Sequence, residues 1–135
     1  MKKTILILLI LPLILLCGFK ISKKAYILTS TEAITNTNPA KNITGFYPVQ
    51  QRIHYVLAVP DGFKYPGIRM QLTKQDDKTT TWGFSIIMSR DFTVDMAQNS
   101  YSDYIYIQKP GHYILQFFYL NKKSYPFAHT EIWVQ

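Results

Sequence analysis

The side chains able to do chemistry are few and scattered: three histidines, eight acids and one cysteine in 135 residues. His112, His129 and Glu131 are donor types that can hold zinc, and they meet only if their strands are neighbours. No tight ligand spacing joins them, so they read as ordinary polar residues on a sheet face, with no metal and no cofactor. Asp76-Asp77 and Asp91/Asp95 are carboxylate pairs, the minimum for general acid–base work. The first pair falls in a polar turn, where solvated charge is expected. Gly83-Phe84-Ser85-Ile86-Ile87 has the start of a nucleophile elbow, lacks the closing glycine and sits in a run of strand character. The expectation is a chain without catalysis. Asn42-Ile43-Thr44 is a glycosylation sequon, meaningful only in a eukaryotic secretory pathway.

The net charge of +7 suggests an anionic partner at first sight. Five of those charges are Lys2, Lys3, Lys20, Lys23 and Lys24, which flank an apolar run from Ile5 to Phe19. From Ala25 onward ten Lys/Arg face eight Asp/Glu, a net of +2. Nucleic-acid binding needs clustered cations, so that class is set aside. A basic start followed by a short apolar run has the form of a secretory signal. Leu15-Leu16-Cys17-Gly18 resembles the end of a bacterial lipobox, with Leu16 where a small residue belongs. Three fates stay open for residues 1–24: lipid attachment at Cys17, an uncleaved signal anchor, or a cleaved signal peptide. Each puts residues 25–135 in the cell envelope, outside the cytoplasm. A single cysteine also excludes an intramolecular disulfide.

The remainder has the length of one domain. Aromatic residues make up 15% and charged residues 17% of the chain, a mix that favours strands over disorder. Two-residue alternation recurs: Ile53, Tyr55, Leu57 and Val59 share one side, as do Ile68, Met70 and Leu72. Strands are expected at 25–29, 52–59, 68–73, 80–89, 101–108, 112–120 and 127–134, with 31–47 as loop or linker and 91–95 as a short edge. Turn chemistry separates them at Pro60-Asp61-Gly62 and Lys109-Pro110-Gly111. About seven antiparallel strands at this spacing indicate an all-β sandwich, with an up-and-down barrel as the alternative.

Pro110-Gly111-His112-Tyr113 resembles the turn into the penultimate strand of immunoglobulin-like and fibronectin-like domains. The resemblance covers the last two strands. It implies a sandwich of that type, with Tyr113 packing a corner through its hydroxyl. The paired cysteines of antibody-type domains are absent.

If Leu120 stands opposite Phe127, then Tyr113, Leu115, Phe117 and Tyr119 face the core with Ala128, Thr130, Ile132 and Val134. The other face carries His112, Gln116, Phe118, His129, Glu131 and Trp133, an apolar and aromatic set for a solvent-facing surface. Such a patch marks a partner site or an oligomer contact. The expected function is membrane-tethered binding of a protein partner. The alternative is a small-ligand or carbohydrate module stacking sugars on Tyr101, Tyr104, Tyr106, Trp82 and Trp133.

Overall fold

The computed structural model describes residues 23–35, 44–76 and 83–135. They form eight strands and no helix: β1 (Tyr26–Ser30), β2 (Phe46–Tyr47), β3 (Arg52–Ala58), β4 (Gly67–Gln75), β5 (Phe84–Thr93), β6 (Ser100–Tyr106), β7 (Gly111–Tyr119) and β8 (Ala128–Val134). The chain is all-β with two sheets. One sheet has the order β1-β3-β6 and the other β2-β8-β7-β4-β5. All pairings are antiparallel except β2 with β8, which is parallel. Cys17, Asn42, Asp77, Trp82 and the apolar run lie outside the described residues. No helix among the described residues is long and apolar enough to cross a membrane.

Alternation decides which side of each strand is buried. In β3 every second residue, Ile53, Tyr55 and Leu57, is closed to solvent. Ile68, Met70 and Leu72 of β4, Leu115 and Phe117 of β7, and Ile132 of β8 meet them from the opposite sheet. Each fully buried large side chain contributes about 1.5–3 kcal/mol of transfer free energy. Tyr55 lies near Phe117 with ring centroids 5.6 Å apart. The Tyr113 hydroxyl donates to the Lys109 carbonyl at 2.7 Å, tying the turn before β7 to the strand it launches.

Three differences from the expected elements have physical causes. The stretch set down as linker over 31–47 ends in a strand, because Trp133 N–H donates to the Gly45 carbonyl at 2.7 Å and Gln135 N–H to the Tyr47 carbonyl at 3.0 Å. Residues 91–93 continue β5 rather than forming a separate edge. The register of β4 with β5 shifts between Leu72 and Thr73, so Met88 pairs with Leu72 and Ile86 with Thr73. Ile87 is the extra residue of this bulge. Trp82, Phe84, Ile86 and Met88 were expected on one side; the bulge separates Met88, half-buried, from Phe84 and Ile86, which are exposed.

Candidate binding face

Strand β7 is flanked by β4 and β8, and its even-numbered residues point away from the core. The register pairs His112 with Trp133, Ile114 with Glu131 and Gln116 with His129. This is two residues away from the expected alignment of Leu120 with Phe127. An even slip preserves the faces, so the expected core side and outer side both stand, but the neighbours change. His112 and His129 do not meet. Among the described residues no three of His, Cys, Asp and Glu gather as a metal site would require.

Phe46, Trp133, His112, Gln75 and Phe84 form a row across all five strands. Phe46 pairs with Trp133, Trp133 with His112, and Gln75 with Phe84. His112 closes the row: its Nδ1 lies 3.1 Å from Gln75 Oε1. Its imidazole lies flat on the Trp133 ring, 3.8 Å between centroids and 2° between planes. Phe84 meets the same imidazole edge-on at 5.7 Å. Nε2 is buried without a hydrogen bond, and Glu131 Oε1 stands 3.4 Å away, out of line for one. The histidine therefore serves as a slab between aromatic rings.

Four hydrophobic side chains on this end of the face are open: Phe46 at 65%, Ile86 at 62%, Phe84 at 41% and Trp133 at 40% exposed. The other end is polar. Arg69 holds Asp91 through two bonds, Nε to Oδ1 at 2.7 Å and Nη2 to Oδ2 at 2.9 Å. Phe118 lies on this same outer side, paired with Arg69, yet is only 8% exposed. Its expected place on an open surface is corrected: a residue in the middle strand loses its solvent to long neighbours. Gln116 is half-buried, and His129 and Glu131 are exposed.

The described acids of these pairs, Asp76, Asp91 and Asp95, have hydrogen-bond partners. Asp91 is bound to Arg69, and Asp95 Oδ1 accepts the Ala97 N–H at 2.9 Å. Ser85 Oγ, on the edge strand β5, donates to Asp76 Oδ2 just after β4. The tyrosines expected to act together are separated. Tyr101 stacks on Phe92 between the sheets at 4.6 Å. Tyr104 and Tyr106 are exposed on the three-stranded sheet, where the Arg52 guanidinium sits 4.7 Å over the Tyr104 ring. Trp133 belongs to the other sheet.

Sequence reasoning overlooked Phe46, Gln75, Phe84 and Ile86. Phe46 lay in the presumed linker, and the faces of Phe84 and Ile86 turn on a bulge that no residue type announces.

The fold and this surface define an all-β, two-sheet domain with an aromatic row across one outer face. No protein-family model matches the chain, and no curated protein matches it. Among solved structures the chain is similar to the PmoD soluble domain from Methylocystis sp. ATCC 49242 (Rockwell). The TM-score is 0.52 at 12% identity, over 87% of this chain and 95% of that one. At that identity the similarity is one of fold.

Proposed function

We propose that this is a non-catalytic, membrane-tethered protein of the cell envelope, whose immunoglobulin-like sandwich binds a protein partner through the outer face of its five-stranded sheet. The observation that carries the reading is the row of Phe46, Trp133, His112 and Phe84, apolar at an end of the face where Phe46 and Trp133 stay open. Aromatic anchors held rigid by stacking lose little entropy on docking, which is the property of interface hot spots. The immunoglobulin-like class is supported by the strand order β1-β3-β6 facing β2-β8-β7-β4-β5 and by the Tyr113 hydroxyl bond to Lys109. The tether is supported by the basic and apolar run before Lys20.

Affinity capture from envelope extract with the full chain tests the face. A partner retained by the natural sequence and lost with Phe46→Ala or Trp133→Ala, both still folded by circular dichroism, is expected. An unchanged set of captured proteins rejects this face. Intact mass of the membrane-extracted chain separates a lipid on Cys17, a retained Met1 and a trimmed form.

A second reading rests on exposed Tyr104 and Tyr106, which could stack on sugar rings. Glycan binding that disappears with Tyr106→Ala supports it, and a blank glycan array removes it.

A further inference from the structure

The edge strands β5 and β6 face each other across the gap between the sheets and are not paired by backbone hydrogen bonds. Phe92 on Tyr101, and Arg90 with Asp103, fill part of this gap. Elsewhere along it a cleft of about 300 Å³ opens. That is about ten times the volume of one water and reaches the lower range of small-molecule pockets.

Its walls are mostly apolar, from Leu72, Ile87, Met88, Ile107 and Tyr113, with Tyr106 and Gln108 at their side. The bulge in β5 accounts for two of them. The extra residue Ile87 lines the cleft beside Met88, where a regular strand would send neighbours to opposite faces. Lys74 and Lys109 also line the cleft, and no acidic side chain does. Neither lysine has an ion-pair partner among the described residues. The chain positions both. The Lys74 ammonium lies 6.0 Å from the centre of the Tyr113 ring. A Cβ on Gly111 would sit 2.7 Å from Lys74 Cε, so glycine there leaves room for the lysine stem. The Lys109 backbone is held by the Tyr113 hydroxyl.

We infer that this cleft binds a small amphiphilic carboxylate, its hydrocarbon chain against the apolar walls and its head on Lys74 and Lys109. A purely polar anion would leave the walls dry and unmatched. An amphiphilic amine would set a third cation beside two. A neutral chain would fill the walls but leave both ammonium groups without a counter-charge. Only the amphiphilic anion satisfies both surfaces. This site is separate from the aromatic row and does not depend on it.

The test is a titration of the full chain in lipid nanodiscs with octanoate, read by the methyl signals of ¹³C-labelled methionine. Met88 lines the cleft, and exposed Met96, which does not, is the control. Met88→Leu assigns the signal. Octanoate should move the Met88 signal to saturation and leave Met96 in place. Lys74→Gln with Lys109→Gln should weaken the midpoint by about tenfold or more, the effect of losing a charged hydrogen bond. Octanol and octylamine should bind more weakly than octanoate. The inference is overturned if octanoate gives no saturable Met88 shift, if octanol or octylamine binds as tightly, or if the double variant, folded, binds unchanged.

Discussion

The two sheets meet along two margins, and the margins are held in different ways. At the β1–β2 margin the seal is backbone and buried hydroxyl. Thr44 N–H donates to the Thr29 carbonyl at 3.2 Å, and the Thr29 and Tyr47 hydroxyls both donate to the Thr44 carbonyl, at 2.6 and 2.5 Å. Away from that margin, the chain leaving β2 passes from one sheet to the other, Val49 N–H bonding the Gln135 carbonyl after β8 and Gln50 N–H the Ile107 carbonyl after β6, each at 3.0 Å. Burial pushes the Tyr47 hydroxyl above its usual ionisation range, so it stays a donor. At the β5–β6 margin only side chains cross. Backbone groups must be paired when buried, so a margin built from them closes fully. A margin built from side chains closes where a pair happens to fit and stays open where none does. The cleft is the open part.

The sharpest way to break this comparison is to truncate one tyrosine at each margin. Tyr47 is closed to solvent and ties a loop to the sheet, so Tyr47→Ala should cost about 3 kcal/mol or more. Tyr101 is half-buried and stacks on Phe92, so Tyr101→Ala should cost about 1–2 kcal/mol. Urea unfolding followed by circular dichroism measures both. Equal losses would mean the two margins contribute alike.

Much of this was legible in the sequence because alternation is local. Ile53, Tyr55 and Leu57 announce a half-buried strand without any knowledge of its neighbours, and the structure buries all three. The Tyr113 hydroxyl bond was legible through the resemblance of Pro110–Tyr113 to a known turn, and its partner Lys109 lies four residues back. Even the outer face around Trp133 survived a register error, because two-residue slips conserve sides. What was not legible depends on long-range placement. Phe46 becomes a strand residue only because β8 offers a free edge to it. Ile87 turns toward the cleft only through a bulge against β4. The cleft itself joins residues of β4, β5 and the β6–β7 turn, and nothing in their spacing foretells that the two edge strands stand apart.

A narrower probe of the open margin is Tyr113→Phe. It removes one hydroxyl bond and keeps the ring that lines the cleft. Loss of about 1 kcal/mol is expected in the same unfolding measurement. The freed Lys109 backbone should also weaken octanoate in the methionine titration. A loss of stability with octanoate affinity untouched would show that Lys109 needs no anchoring there.

The smallest effect concerns the ion pair between Arg90 and Asp103 that crosses the open margin. Arg90 Nη2 lies 2.9 Å from Asp103 Oδ2, with Arg90 exposed and Asp103 half-buried. Partial burial works against ionising Asp103, but the Arg90 guanidinium, the Tyr104 N–H and the Tyr101 hydroxyl outweigh it and hold the carboxyl below the usual range. A carboxyl depressed in the folded state stabilises it above the unfolded value, near pH 3.9, and that stability is lost as pH falls through the lower folded value. Because solvent screens the pair, Asp103→Asn should cost no more than about 0.5–1 kcal/mol at neutral pH. The gap between the natural chain and the variant should then narrow as pH falls below about 4, in thermal unfolding followed into the acid range. A gap that persists at the acid end would mean Asp103 acts through its shape and hydrogen bonds rather than its charge. The margin would then be zipped by packing alone, as Phe92 on Tyr101 already is.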